Sequence, residues 1–288
     1  MKPTAVHLHL HYTERWPEIR QYLQYMGSHP YHLYVTLTQA NASLEAEIKQ
    51  FHPQSTVWQT ESRGYDIGPF VDFLHRVDLS QYDLVLKIHT KSKSGLQKTW
   101  INGRCVTKKR WVKLLMDALL GSAEIWQRNL AVFEKDPRLG MLSSRYLITS
   151  EPECSEYLRP GVEQIMAKLN LPMPQKITFA AGTMFLVRAK LLEPVRKNFA
   201  VADFVPTDSS VQDGTLAHAF ERAFGCMATA RGYEVKGFDK NKWFEQQAKF
   251  QRVINFFYSN NITRSNHQII KVCKIPIYYK KLDGGKRG

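Results

Sequence analysis

The sequence predicts an α/β fold with a parallel-rich sheet, because strand patterns and helical patterns alternate along its first half. Residues 5–11 alternate with period two, and the apolar positions of residues 14–26 then recur at helical spacing. Strands separated by helices form βαβ units, whose strands run parallel. The alternation continues as strand 31–37, helix 43–51 with Ser43 as its predicted N-cap, strand 56–58, helix 71–77 and strand 82–89.

The second half of the chain is less regular. Residues 177–187 form a buried apolar run that predicts one strand or a pair of strands. Beyond Trp243 we find no strong periodicity except an aromatic stretch over 250–258. The other predicted elements are helices 109–120, 122–133 and 213–224 and strands 139–142 and 233–238.

Composition excludes several classes of protein. Hydrophobic residues make up 43% and charged residues 23% of the 288 residues, which is typical of a globular protein. The four cysteines form no CxxC pair, which excludes a zinc ribbon and disfavours a disulfide scaffold. No apolar run approaches the roughly 20 residues of a membrane span, and no signal peptide is recognisable. We therefore expect a cytoplasmic protein.

Positive charge is concentrated in two patches. The net charge is +14, and residues 84–116 contain nine Lys or Arg and no acidic residue. Residues 240–288 contain eleven Lys or Arg against two acidic residues. The remainder of the chain is net negative, so each patch predicts its own anionic partner.

The loop 61–70 follows the third predicted strand and contains two glycines. Gly64 and Gly68 permit close backbone approach to a ligand, and the next helix offers its amide groups to an anion. Arg63 supplies a fork of donors, and Asp66 can accept hydrogen bonds from sugar or ribose hydroxyls. An equally good interpretation is a turn in which Asp66 caps the helix and pairs with Arg63.

The strand YDLVLKIH runs directly into a cluster of cations and hydroxyls. No Asp-X-Asp pair, which would hold a divalent metal, follows this strand. Fixed cations and hydroxyl donors can instead stabilise the charge of a departing diphosphate. The alternative is a solvated lysine-rich face. The residues concerned are His89, Thr90, Lys91, Ser92 and Lys93.

Three alternating histidines, His7, His9 and His11, are predicted to point to one side of the first strand. They are a weak metal site, because one strand supplies only part of a coordination shell and no Cys or carboxylate partner is identifiable. We expect two of them to be structural. His11, at the carboxyl end of the strand, is the candidate for ligand contact.

A carboxylate near the helix predicted at 213–224 could take the proton of an attacking hydroxyl. Asp213 is the first choice and Asp208 the second, although Asp213 also suits the N-cap of the helix. His218 and Glu221 lie three residues apart and share a helix face. Glu221 could instead pair with a neighbouring Arg or Lys.

Four blocks occur in one order: ESRGYDIGPF, YDLVLKIHTKSKS, AAGTMFLVRA and DGTLAHAFERAFG. Together they resemble the bacterial rhamnan synthesis protein F family of glycosyltransferases. The resemblance implies an A-type glycosyltransferase fold and transfer of a sugar from a nucleotide donor to a growing glycan. The resemblance implies that the donor loop contains Arg63, Gly64 and Asp66 and that the diphosphate lies at His89 and Lys91. It places Gly182, Thr183 and Met184 in the sugar and acceptor cleft. It places Asp213 on the helix at the acceptor side.

We therefore expect a metal-independent glycosyltransferase of cell-surface polysaccharide synthesis that needs no cofactor, with rhamnose as one candidate sugar. Its catalytic domain would span residues 1–240, with a donor half at about 1–145 and an acceptor half at about 146–240. Its partners would be a nucleotide sugar and a glycan or lipid-linked glycan. The alternative is a non-catalytic module that binds polyanions or nucleic acid through the two basic patches, although no RRM, KH or helix-turn-helix signature is visible.

The basic, aromatic extension at 241–288 has two interpretations. It could contact the inner face of the cytoplasmic membrane, since each basic residue near anionic lipid contributes about 1 kcal/mol. Alternatively, its aromatic side chains pack on the core and leave a loose lysine-rich tail.

Overall fold

The computed structural model describes residues 1–91, 98–101, 104–150, 158–208, 214–262 and 267–281. The chain forms two compact units. Unit 1 comprises Met1–Lys98 and Thr107–Asp239, and unit 2 comprises Thr99–Val106 and Lys240–Gly288.

The strands and helices alternate through most of unit 1. The strands of the chain are β1 (Thr4–Leu10), β2 (Tyr31–Leu37), β3 (Thr56–Gln59), β4 (Leu84–His89), β5 (Lys98–Ile101), β6 (Arg104–Thr107), β7 (Leu139–Leu142), β8 (Ile148–Ser150), β9 (Thr178–Ala180), β10 (Phe185–Arg188), β11 (Glu234–Lys236), β12 (Tyr258–Ile262), β13 (His267–Val272) and β14 (Ile275–Lys281). The helices are α1 (Trp16–Gln24), α2 (Ala42–Phe51), α3 (Ile67–Arg76), α4 (Lys108–Leu120), α5 (Ala123–Lys135), α6 (Arg159–Lys168), α7 (Glu193–Asn198), α8 (Leu216–Thr229) and α9 (Lys242–Phe257).

The central sheet of unit 1 has seven strands in the order β11-β7-β10-β4-β1-β2-β3. Strands β4, β1, β2 and β3 run parallel to one another, and β11 runs parallel to β7. Only β10 is antiparallel, to both β4 and β7. The sheet is therefore mostly parallel and has flanking helices, which confirms the predicted α/β fold class.

Strands β1 and β4 form the centre of this sheet and are buried along their whole length. This burial is expected of central parallel strands, which have both faces covered. In the register of the sheet, His9 on β1 lies opposite Thr36 on β2 and His89 on β4. The carboxyl ends of these strands consequently bring polar side chains to one edge, where ligands bind in open α/β sheets.

Several helix starts differ from the prediction, and α3 begins at Ile67 instead of residue 71. Asn41, not Ser43, caps α2, because its side chain accepts a hydrogen bond of 3.0 Å from the Leu44 amide. Helix α8 begins at Leu216 with Thr215 as its N-cap, so the predicted start at Asp213 is wrong.

The apolar run 177–187 forms two strands that belong to different sheets. Strand β9 pairs with β8 in a two-stranded sheet, whereas β10 joins the central sheet. Between them, Gly182 and Thr183 both have positive φ angles, +96° and +52°, and turn the chain at the edge of the central sheet. The prediction of a strand pair is therefore the correct one of the two alternatives.

Unit 2 contains elements that the sequence patterns did not predict. Helix α9 is followed by an antiparallel sheet in the order β12-β13-β14, and β5 pairs with β6. Several of the large aromatic side chains of unit 2 are exposed. They are Phe250, Phe256, Phe257, Tyr278 and Tyr279. Within the described ranges, no helix is long and apolar enough to cross a membrane.

Candidate functional site

The candidate site lies in unit 1, at the carboxyl edge of the parallel strands. Three segments meet there: the ends of β1 and β4, the loop 61–66 before α3, and the turn 181–183 between β9 and β10. They are linked by a buried ion pair. Lys87 Nζ donates to Asp66 Oδ2 over 2.5 Å and to the Thr183 carbonyl oxygen over 3.0 Å.

Asp66 Oδ2 collects several donors. Besides the bond from Lys87, it accepts one of 2.5 Å from Thr183 Oγ1, and His89 Nδ1 lies 3.5 Å away. The predicted pairing of Asp66 with Arg63 is absent, since Arg63 instead lies 3.9 Å from Glu61. Asp66 also makes no capping hydrogen bond to α3, so the interpretation as a simple helix cap is wrong.

The electrostatics of this cluster favour an ionised carboxylate. Burial acts to raise the pKa of Asp66, but the charges of Lys87 and Lys91 and the bond from Lys87 outweigh it and hold that pKa well below its ordinary value. Burial also lowers the pKa of the Lys87 ammonium, and the charge of Asp66 opposes that shift. The Lys87 ammonium additionally lies 5.4 Å from the centroid of the Phe70 ring.

The histidines of β1 and β4 are held neutral. Burial lowers the pKa of His9 to about 3 and brings those of His7 and His89 well below their ordinary value. His7 Nε2 and His9 Nδ1 both lie within hydrogen-bond distance of Thr36 Oγ1, at 3.1 and 3.0 Å. The two side chains therefore share one side of β1, as predicted, and their role in this network is structural.

His11 and His89 differ from the other two. His11 is exposed, and its Nδ1 lies 2.9 Å from Thr38 Oγ1. His89 is 3% exposed, and neither of its ring nitrogens has a hydrogen-bond partner among the residues that the structure describes. An imidazole buried without partners at the strand end can still donate to, or accept from, a ligand that enters there.

The residues after β4 divide into structural and available groups. Thr90 is buried; its amide donates to the His9 carbonyl, and its Oγ1 accepts from the Tyr12 amide over 2.9 Å. Thr90 therefore fixes the end of β4 against β1. Lys91 is partly exposed and adjoins the Asp66 cluster. Ser92 and Lys93, the other two predicted residues, lie outside the described residues.

The loop 61–66 is held by the segment 205–208. The Gly64 amide donates to the Val205 carbonyl over 3.0 Å, and Tyr65 Oη donates to the Asp208 carbonyl over 2.7 Å. Gly64 has φ +64°, and a Cβ there would lie 2.7 Å from the Phe204 ring. Glycine is thus required by both conformation and close packing.

The predicted base residues are placed differently. Asp208 is exposed beside Tyr65, whose ring lies 5.2 Å from that of His218. Asp213 lies outside the described part of the chain. Asp208 is therefore the carboxylate among the predicted bases that the structure brings to the loop 61–66.

The predicted cleft residues also separate. Glu221 Oε1 accepts a 2.6 Å bond from the Gly182 amide, and its Oε2 pairs with Arg222 over 2.5 Å. His218 Nδ1 lies 2.8 Å from the N-cap hydroxyl of Thr215. Met184 is fully buried, so its side chain belongs to the core instead of lining a cleft.

Lys87 is the functional candidate that the sequence analysis missed. It lies in the middle of the apolar run YDLVLKIH, and that position was the available signal, because a lysine is almost never fully buried unless it is paired. As to metals, no group of three or more His, Cys, Asp or Glu side chains able to hold an ion occurs within the described ranges.

The fold and this site can now be compared with known proteins. A family model described as "Rhamnan synthesis protein F" matches residues 1–233. The chain belongs to the rhamnan synthesis protein F family. This confirms the resemblance seen in the four sequence blocks. The family is named for the synthesis of a polysaccharide. The part of the chain that its model matches contains every described residue of the candidate site.

The curated relatives that align with this chain are much longer than it is. Two proteins of Xanthomonas campestris pv. campestris, from strain B100 and a second strain, both described as "Uncharacterized protein WxcX", are 27% identical over 193 residues. The alignment covers 67% of this chain and 25% of each relative. The chain thus spans about a quarter of the length of these relatives.

One solved structure shows a remote similarity. The crystal structure of S. aureus TarS 1–349 superposes with a TM-score of 0.40 and 11% sequence identity, over 78% of this chain and 56% of that chain. The α/β assignment therefore follows from the observed sheet topology and not from this superposition.

Proposed function

We propose that the protein is a glycosyltransferase that moves a sugar from a nucleotide-sugar donor to a growing polysaccharide. One observation carries the proposal: the carboxyl edge of the sheet presents the ionised Asp66 beside His89 and the cation Lys91. A carboxylate can accept bonds from the hydroxyls of the donor, and an adjacent cation can bind its diphosphate. Membership of a polysaccharide synthesis family supports the same substrate class.

The proposed reaction is a displacement at the anomeric carbon of the donor sugar. The acceptor oxygen forms a bond to this carbon, while the bond from the carbon to the phosphate oxygen breaks. Its electron pair leaves with the nucleoside diphosphate, and the acceptor proton passes to a carboxylate base, Asp208 or Asp213. Lys91 stabilises the charge of the leaving group; His89 is neutral and contributes a hydrogen bond.

The finer features of the substrate and reaction belong to this proposal. Rhamnose is a candidate sugar, since the family is named for rhamnan synthesis. We also propose that the transfer needs no divalent metal, because cations occupy the place after β4 where an Asp-X-Asp pair would hold one. The acceptor would be a glycan, with a lipid-linked glycan as a candidate form.

A thermal-shift screen against nucleotide sugars, with and without chelator, tests this function. A true donor binds only the native state and raises the melting temperature by mass action, by RT ln(1 + [L]/Kd) in free energy. We expect one donor to stabilise the protein equally in excess chelator. Strict dependence on a divalent ion would contradict the metal-free proposal, and no stabilisation by any nucleotide sugar would contradict the function itself.

Lys91→Ala provides the residue-level test. Loss of the cation should weaken binding of the selected nucleotide sugar and lower its transfer rate by about ten-fold or more, because a charge-assisted bond to phosphate is lost. The matched control is Lys49→Ala, which removes an exposed lysine of α2 that pairs with Glu45. Equal behaviour of the two variants would remove Lys91 from the donor site.

Unit 2 supports a second part of the proposal, contact with an anionic lipid surface. Its described residues contain nine Lys or Arg and one acidic residue, Glu245. They also expose large apolar side chains on α9 and β14, including Phe250 at 67%, Phe257 at 57% and Ile277 at 63%. Cations combined with exposed aromatic and aliphatic groups are the features by which peripheral proteins bind anionic bilayers. Such contact would bring the enzyme to a lipid-linked acceptor.

A further inference from the structure

The buried lysine of β4 has a geometry that the proposed reaction has not yet used. Lys87 has a side chain that is 1% exposed, and its ammonium lies between Asp66 Oδ2 and the Thr183 carbonyl oxygen. It thereby joins the central strand to the loop before α3 and to the turn before β10. A charge buried this deeply persists in a fold only when its partners are fixed.

The contacts of Asp66 are distributed unequally between its two oxygens. Among the described residues, the bonds from Lys87 and Thr183 and the approach of His89 all fall on Oδ2. The carboxylate side chain is 17% exposed. Oδ2 is therefore occupied by donors of the protein, whereas none of these contacts uses Oδ1, which keeps its acceptor capacity.

We propose that Lys87 is a positioning residue, which orients Asp66 as an acceptor so that Oδ1 binds a hydroxyl group of the nucleotide-sugar donor. This inference rests on the proposed function. Lys87 itself does not touch the donor, because its ammonium is enclosed by Asp66, Thr183 and the rings of Phe70 and Phe185.

The surroundings of the pair explain why a lysine is needed for this task. On β1, His7 and His9 are neutral and supply no charge. On β4, His89 is likewise neutral, so Lys87 and Lys91 are the cations that act on Asp66 in the described part of the chain. Glu221 of α8 acts on Lys87 and favours its charged form. Without Lys87, the carboxylate would lose one of its two short bonds and its closest positive partner.

A double-mutant cycle measures whether Lys87 acts through Asp66. The variants are Asp66→Asn, Lys87→Met and the combination, each checked for folding by circular dichroism and melting temperature. The measured quantity is the dissociation constant of the nucleotide sugar selected in the screen, by calorimetry. We expect each single change to weaken binding about ten-fold or more. The combination should bind as Asp66→Asn alone does.

Several results would overturn the inference. One is an unchanged dissociation constant in Asp66→Asn or in Lys87→Met. Another is a double variant whose affinity falls by the product of the two single fold-changes, because the effects of independent residues multiply. If Lys87→Met does not fold, Lys87→Gln, which removes the charge but keeps a polar side chain of similar length, takes its place in the cycle, and the same results decide. A parent protein that binds no nucleotide sugar would overturn the proposed function and this inference together.

The hydroxyl that donates a hydrogen bond to Asp66 Oδ1 belongs either to the sugar or to the ribose of the donor. Titration of the nucleoside diphosphate and its 2′-deoxy form separates these sources. Weaker binding of the diphosphate by Asp66→Asn would assign the ribose, and weaker binding of the nucleotide sugar alone would assign the sugar. An equal effect of Asp66→Asn on the 2′-deoxy and normal diphosphates would exclude the 2′-hydroxyl.

Discussion

Thr183 shows how the site is maintained at the scale of a single residue. It is β-branched yet has φ +52°, a conformation that such residues rarely adopt. Its hydroxyl donates to Asp66 Oδ2, and its carbonyl accepts from Lys87. These two bonds hold the turn between β9 and β10 against the loop before α3, so the strain of Thr183 is offset by contacts at the site.

A pair of substitutions at Thr183 tests this account. Thr183→Val removes the donor to Asp66 and should lower the free energy of unfolding by about 1–3 kcal/mol. Thr183→Ser keeps the hydroxyl and should remain within about 1 kcal/mol of the parent. Urea unfolding at neutral pH measures both changes. Equal stability of the two variants would mean that the hydroxyl bond does not support the turn.

Sequence reasoning found some residues of the site and missed others for physical reasons. Asp66 and His89 were identified because they follow strands, and the carboxyl ends of parallel strands share one edge of a sheet. Lys87 was missed because its role depends on the distance to Asp66 and Thr183, which lie 21 and 96 residues away in sequence. Such partners are set by tertiary packing and have no local pattern.

At the scale of elements, two strands of the central sheet have the bounds that the sequence predicts. Strand β2 has the predicted bounds, 31–37, and strand β7 has the predicted bounds, 139–142. Both contribute to the core, where packing imposes a pattern on the sequence. Strands β12, β13 and β14 were not predicted. The large side chains of β14 are exposed, so no core imposes an alternation there.

The exposed face of α9 leads to a prediction about lipid. The full chain should sediment with vesicles that contain anionic lipid, and less at high salt, because its cations are screened. Phe250→Ser together with Phe257→Ser should reduce sedimentation strongly, since each exposed ring can bury apolar area worth about 1.5–3 kcal/mol. Both side chains are exposed, so the fold should persist.

The control for this experiment is Tyr25→Ser, which removes an exposed aromatic residue of unit 1. It should leave sedimentation unchanged. Neutral vesicles test the charge requirement, and an oligonucleotide competitor tests the polyanion alternative. Sedimentation that is the same for the double variant and the parent would remove the lipid proposal for α9.

At the scale of the whole molecule, the parallel sheet has an unusual interior, because neutral imidazoles lie inside its central strands. His7, His9 and His89 are each at most 5% exposed. His7 stacks on the Phe73 ring with 4.9 Å between centroids, and it shares the Thr36 hydroxyl with His9. Protonation of any of them in the folded state would place a charge close to Lys87. The stability of unit 1 is thereby linked to pH.

The direction of this linkage follows from the lowered pKa values. The pKa of His9 is about 3 in the folded state, and those of His7 and His89 are also well below the value of about 6.5 expected when unfolded. Below about pH 6.5 the unfolded chain binds protons that the folded chain refuses, so stability falls as pH falls. Each histidine contributes up to about 1.4 kcal/mol per pH unit in this window.

The free energy of unfolding can be measured in urea at about pH 7.5, 6.5 and 5.5. We expect it to be highest at about pH 7.5 and to decline below about pH 6.5. In His7→Phe, the ring contact with Phe73 can be kept while one titrating group is lost. The decline should become shallower by about one histidine's contribution, up to about 1.4 kcal/mol per pH unit. Two results would contradict this account. One is a free energy of unfolding that does not change between these pH values. The other is a free energy of unfolding that declines as steeply with pH in His7→Phe as in the parent, because the imidazoles inside the sheet would then not be the groups that link folding to pH.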